Sequence, residues 1–183
     1  MALTRDQETK LLALARHAIA HFLHVGEAPP VTETDPALTA PGGAFVTLHQ
    51  GKQLRGCIGR MEAVGPLAET VRDMAIAAAI EDWRFAPLAA DELGTVTIEI
   101  SVLTPMRKVA SPEEIEVGRH GVMAKMGARS GVFLPQVAPE QGWNREQMLT
   151  HLCGEKAGLP PDAWKKGADL YVFEASVFGE ETR

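Results

Sequence analysis

The chain has 183 residues, of which 45% are hydrophobic and 23% charged, so it reads as a folded globular protein and not as a disordered or fibrous one. Its 18 Lys+Arg against 24 Asp+Glu leave a net charge of −6, with the basic residues scattered singly. That excludes the cationic stripe that neutralises phosphates, and nucleic acid is not an expected partner.

The length allows one core, or one domain over residues 1–183 made of two subdomains. The N-terminus turns charged at once and the purest apolar run, Met74 to Ile80, is too short to span a bilayer, so a cytoplasmic protein without a membrane segment is expected. Two cysteines, Cys57 and Cys153, cannot build a disulfide framework or a four-thiolate zinc site, and free thiols are expected.

Residues 4–24 carry a helical period, with Leu11, Leu14, Ala15, Ala18, Ile19 and Phe22 on one face, a Thr4/Gln7 capping box at the start and Gly26 as the stop. Glu27 to Gly43 is rich in Pro and Thr without an apolar period and reads as an irregular surface segment. Two strands follow, Ala44 to His49 and Leu54 to Gly59, joined by a hairpin loop at Gln50 to Gln53. Pro66 to Asp82 reads as a helix with Leu67, Val71, Met74, Ala75 and Ala78 inward. The clearest strand is Thr95 to Leu103, where Val96, Ile98, Ile100 and Val102 alternate with Thr97, Glu99 and Ser101. Short strands are expected at Gly121 to Met126 and Gly131 to Leu134, a helix at Asn144 to Ala157, and a terminal strand at Leu170 to Val177. Helices and antiparallel strands are mixed without a βαβ rhythm, so the class is α+β.

The segment Leu54-Arg55-Gly56-Cys57-Ile58-Gly59 is the most informative in the chain, because a reactive thiol type stands beside a cation and between glycines. A register pairing Leu48 with Gly56 and Val46 with Ile58 puts Leu54, Gly56 and Ile58 on the buried face. Arg55 then faces His49 and Cys57 faces Thr47 on the other side, with Arg55 favouring the thiolate and His49 a diagonal neighbour. Gly56 and Gly59 suit a bulge or the approach of a ligand to the backbone, although close packing of a helix on the sheet explains them as well. Glu99 and Ser101 project from the wetter face of their strand, and Asp82 with Arg84 follows the second helix. No dinucleotide fingerprint is present, and His17, His21 and His24 read as a solvated helix face, so no metal is assigned.

Taken together, the sequence resembles the AMMECR-one family over nearly its whole length. Leu54-Arg55-Gly56-Cys57-Ile58-Gly59 stands at that family's signature, followed by Asp82-Trp83-Arg84-Phe85 with Pro87-Leu88, and by Glu99-Ile100-Ser101-Val102-Leu103-Thr104-Pro105. Gly131-Val132-Phe133-Leu134-Pro135-Gln136-Val137, Gly142-Trp143, Lys156-Ala157-Gly158-Leu159 and Ala163-Trp164 complete the series in the family's order. Trp83 departs from it, standing where the family usually has proline. The resemblance implies a two-lobed α+β fold, the larger lobe with an antiparallel sheet and both termini, the smaller with its own short sheet, and a cleft between them. It implies no known reaction and no known cofactor. Prokaryotic relatives are associated with a Memo-like protein and a radical-SAM protein, which are the partners it suggests.

Two functions are therefore expected. In the first, a small polar ligand meets Cys57 as nucleophile or thiolate ligand, with Arg55 as anion or thiolate stabiliser, His49 as acid/base, and Gly56, Gly59, Asp82, Arg84, Glu99, Ser101 and Gln136 as binding residues. In the second, the chain is a non-catalytic adaptor that docks a Memo-like or radical-SAM partner.

Overall fold

A computed structural model describes residues 3–181; Met1, Ala2, Thr182 and Arg183 lie outside it. The fold is α+β, with two four-stranded antiparallel sheets in two compact units. One unit runs to Leu103 and takes in the chain again from Ser176; the other is Thr104–Ala175. Among the described residues no helix is long and apolar enough to cross a membrane.

In the first unit, helix α1 (Arg5–Val25) opens with the Thr4/Gln7 capping box and closes at Gly26, whose φ of 82° lies in the left-handed region. The Pro/Thr-rich segment after it contains one short helix, α2 (Pro36–Thr39), because the Asp35 side chain accepts the Ala37 N–H and Pro36 fits the first helical position. The hairpin β1 (Gly43–Gln50) and β2 (Gln53–Arg60) is followed by α3 (Leu67–Ile80) and β3 (Val96–Leu103). Helix α3 stops two residues before Asp82, which the periodicity had assigned to the helix.

The sheet order is β2-β1-β3-β8, with β8 at Ala175–Gly179. Val46, Leu48, Ile98 and Ile100 form one face and pack with Leu11, Ala15, Ile19, Val71, Met74 and Ala75 of α1 and α3. Their burial removes aliphatic surface from water at about 25 cal/mol per Å², the main stabilising contribution here. Arg16 of α1 fastens this layer: its guanidinium bonds the Glu180 carboxylate and the carbonyls of Leu93 and Val96.

The second unit has the strand order β4-β7-β5-β6, with β4 (Arg107–Lys108), β5 (Gly121–Met126), β6 (Arg129–Phe133) and β7 (Asp169–Phe173). Its core gathers Val122, Ala124, Phe133, Leu149, Leu152, Cys153, Leu170 and Val172. Helix α4 (Val137–Gln141), absent from the sequence reading, ends at Gly142 with φ 67°. Helix α5 (Arg145–His151) carries the expected Asn144/Gln147 capping box, then widens into a π-helical turn at Leu152–Lys156 instead of continuing as one regular helix.

The expected terminal strand, Leu170 to Val177, is two strands, β7 and β8, in different sheets. At the break the Thr104 N–H bonds the Glu174 carbonyl at 2.9 Å, and the Thr104 hydroxyl accepts the Glu174 N–H at 2.8 Å. A continuous apolar pattern cannot reveal such a change of partner.

Candidate functional site

Thr47, His49, Cys57 and Glu99 share the side of the first sheet away from α1 and α3. The β1–β2 register pairs Val46 with Ile58, Thr47 with Cys57 and Leu48 with Gly56, as alternation predicts. Between Leu48 and His49 the register shifts, so that His49 pairs with Leu54 and Arg55 is the unpaired residue of a bulge. Arg55 therefore does not face His49, and Leu54 leaves the buried set, at 39% exposed.

Gly56 explains how the chain beyond α3 reaches β2. A Cβ at this position would lie 2.1 Å from the Ala78 carbonyl oxygen, so only glycine lets the helix backbone come this close. Gly59 serves a neighbouring contact: its missing Cβ would lie 2.1 Å from the Phe45 ring, which fills that space. Both glycines are occupied by packing, one by a helix and one by an aromatic ring.

With α3 so close, Asp82 accepts the Cys57 N–H on Oδ2 at 2.8 Å. Arg84 Nε donates to Asp82 Oδ1 at 2.9 Å, and Arg84 Nη2 donates to Asp82 Oδ2 at 2.7 Å and to the Cys57 carbonyl at 3.3 Å. Both backbone polar groups of Cys57, on an edge strand, are thus gripped by one ion pair. Hydrogen bonds from Arg84, then from the Cys57 N–H, hold the Asp82 carboxyl well below the usual carboxylate range despite its burial. Asp82 in return keeps Arg84 more firmly charged, and Cys57 lies close enough to add a smaller electrostatic contribution in the same direction. Asp82 is buried, and its carboxylate holds the Cys57 N–H and the Arg84 guanidinium at once.

The Thr47 hydroxyl donates to Cys57 Sγ at 3.2 Å. Thr47 also pairs with Glu99, so Cys57, Thr47 and Glu99 form one rung across three strands. His49 Nε2 stands 3.9 Å from Glu99 Oε1, both side chains partly open to solvent. Ser101 is buried and pairs with Phe45 on the next rung. Cys57, Thr47, His49 and Glu99 thus offer a half-buried sulfur, a hydroxyl and an imidazole–carboxylate pair on one polar surface.

Arg55 is engaged elsewhere. Its Nε and Nη2 donate to the two Glu92 carboxylate oxygens at 3.2 and 3.0 Å, and its Nη1 donates to the Ala86 carbonyl at 3.0 Å. It tethers the loop of residues 86–92, and Arg84 is the cation that contacts Cys57. Gln136 belongs to the second unit, where it is exposed at the start of α4. Sequence reasoning missed two participants. Thr47 was placed opposite Cys57 by the register and could have been named as its hydrogen-bond donor; Glu92 is 37 residues from Arg55 and carries no local signal. Among the described residues no group of three or more His, Cys, Asp or Glu side chains is arranged to hold a metal ion.

Comparison with known proteins covers this whole arrangement. The AMMECR1 family model matches residues 12–178. Protein MK0488 of Methanopyrus kandleri is 45% identical over 98% of this chain and 91% of its own length. A Methanosarcina mazei protein is 41% identical over 98% of this chain and 94% of its own. The crystal structure of protein PH0010 from Pyrococcus horikoshii superposes with a TM-score of 0.88 at 38% identity, covering 98% of this chain and 94% of that one. With the signature segment on β2, the sheet order and these matches in agreement, the chain belongs to the AMMECR1 family.

Proposed function

We propose that the polar face of the first sheet is a binding site for a small polar molecule, with Cys57 Sγ as the atom that meets it, as nucleophile or as thiolate ligand. The observation that carries this reading is the triple fixation of Cys57: N–H on Asp82, carbonyl on Arg84, sulfur on the Thr47 hydroxyl. A structural cysteine needs none of these, since packing alone holds it. The Thr47 hydroxyl bonds the sulfur while Asp82 and Arg84 hold the backbone of the same residue, so the sulfur is presented in one place. His49 with Glu99 supplies an acid/base pair on the same surface.

The test is competitive alkylation of the folded protein with iodoacetamide, with glutathione in the same tube and peptide mass spectrometry as the readout. The reading expects Cys57 to react faster than glutathione at pH 7, and Cys57→Ser to abolish that modification while keeping the far-ultraviolet circular dichroism. A Cys57 slower than glutathione overturns it and makes Cys57 a packing residue.

A further inference from the structure

The turn that grips Cys57 displays an indole. Phe85 N–H bonds the Asp82 carbonyl at 3.0 Å and Arg84 N–H bonds Asp82 Oδ1 at 3.2 Å, so residues 82–85 form a tight turn with Trp83 at its second position. Trp83 is 90% exposed, the most exposed of the chain's large hydrophobic side chains among the described residues. The ring sits on a turn clamped at both ends. Its neighbours in sequence, Asp82 and Arg84, are the two residues that hold the Cys57 backbone, so the indole belongs to the turn that grips Cys57.

Arg84 adds charge to the same place. Its Nε and Nη2 are taken by Asp82 and Cys57, but its Nη1 makes no hydrogen bond among the described residues, and the side chain is 43% exposed. The guanidinium lies 5.5 Å from the Phe85 ring centre, which steadies its plane. The held guanidinium, with Nη1 open, and the solvent-exposed indole on the adjacent residue of the same turn make a two-point recognition element.

We propose that Trp83 and Arg84 recognise the ligand of the Cys57 site, and that this ligand carries a flat aromatic or conjugated group bearing an acidic substituent. The indole stacks on the flat group, and the two open N–H bonds of Arg84 Nη1 receive the anion. This inference rests on the reading of Cys57 given above and adds the substrate class. Proline fits the second position of such a turn, so the turn needs no tryptophan, and the ring is free to serve recognition.

The experiment uses 1-naphthalenesulfonate as probe, with methanesulfonate (anion without ring) and 1-naphthalenemethanol (ring without anion) as controls. Two readouts are taken on the folded chain: quenching of tryptophan emission, and protection of Cys57 from iodoacetamide. Naphthalenesulfonate is expected to quench saturably and to slow Cys57 alkylation, each control binding about three- to tenfold more weakly or not at all. Trp83→Pro, which keeps the turn, should remove the saturable quenching and weaken protection by a similar factor, and Trp83→Ala should do the same if the proline variant fails to fold. Arg84→Lys should weaken naphthalenesulfonate and leave naphthalenemethanol unchanged.

Equal binding of all three probes, or unchanged protection in Trp83→Pro and Trp83→Ala, overturns the inference while leaving the Cys57 reading intact. If Cys57 is inert to iodoacetamide without any probe, that reading fails, and the quenching titration still decides whether Trp83 and Arg84 bind aromatic anions. Absence of saturable quenching with Trp83 instead covered by a protein partner also overturns it.

Discussion

Asp82, two residues beyond α3, accepts the backbone N–H of Cys57 on the edge strand β2 at 2.8 Å. That bond joins the end of a helix to the middle of a strand 25 residues away, and Arg84 completes it by donating to the carbonyl of the same cysteine. An edge strand with free N–H and C=O groups invites pairing with another chain. Here the free groups of Cys57 are covered, so one contact both protects the edge and fixes the sulfur.

The first prediction concerns Asp82. Asp82→Asn leaves the buried acceptor but removes the charge that Arg84 bonds, and should cost about 2–4 kcal/mol at neutral pH. The pH dependence has a definite sign. The folded carboxyl is held below its ordinary value, so its stabilisation is complete above the unfolded value of about 3.9 and is lost as pH falls through that value toward the folded one. The stability gap between wild type and Asp82→Asn, measured by urea unfolding, should be flat from pH 5 to 8 and narrow below about pH 4. A gap that does not change down to pH 3 would mean that Asp82 is not the paired carboxylate described here.

The second prediction separates the two glycines of the signature segment. Gly56→Ala drives a methyl into the Ala78 carbonyl, which is helix backbone and cannot step aside, so it should cost more than about 3 kcal/mol or prevent folding. Gly59→Ala meets the Phe45 ring first, a side chain that a second substitution can remove. Gly59→Ala with Phe45→Ala should therefore be less destabilised than the sum of the two single changes, by about 1 kcal/mol or more in urea midpoints. Simple additivity would show that the ring is not what excludes a side chain at position 59.

Periodicity made most of the first unit legible. The capping box of α1, the alternation in β3 and the pairing of Thr47 with Cys57 all follow from local spacing, because a one-residue slip would turn Val46 and Leu48 out of the core. The glycines hinted at a bulge, but its place was not legible: nothing in the alternation marks Arg55 as the unpaired residue, and the shift moved Leu54 and Arg55 away from their expected places. Arg55 illustrates the general obstacle. A cation beside a cysteine looks like its electrostatic partner until the fold brings Glu92 to it from a distant loop. Asp82 and Arg84 were singled out as a pair at the right place, but their grip on the backbone of Cys57 depends on how closely α3 approaches β2, which is decided in three dimensions.

The third prediction follows from that reassignment. Arg55 and Glu92 form a two-pronged, partly buried pair, and the Arg55 fork, with help from the Ala89 N–H, holds the Glu92 carboxyl below its ordinary range. Arg55→Gln, Glu92→Gln and the double variant should give a coupling energy of about 1 kcal/mol in a double-mutant cycle. Reactivity of Cys57 toward iodoacetamide should stay within about twofold of wild type in all three, because a pair that tethers a loop contributes little to a thiolate it does not touch. A Cys57 rate that collapses in Arg55→Gln but not in Glu92→Gln would return the thiolate-stabilising role to Arg55.

The fourth prediction concerns Thr47, whose hydroxyl is the side-chain donor to Cys57 Sγ. Thr47→Val keeps the shape and removes the donor; one hydrogen bond worth about 1 kcal/mol corresponds to about a fivefold slower alkylation of Cys57 at pH 7. Thr47→Ser restores a hydroxyl at the same position and should recover most of the rate, which a mere loss of packing would not explain. Cys153 provides the internal control: burial pushes its thiol up and closes it to reagent, so it should be modified only as the chain unfolds. If Thr47→Val slows Cys57 while Cys153 stays silent, the effect is on the sulfur itself. If both cysteines change together, the substitution has loosened the fold, and the hydroxyl is not what sets the reactivity of Cys57.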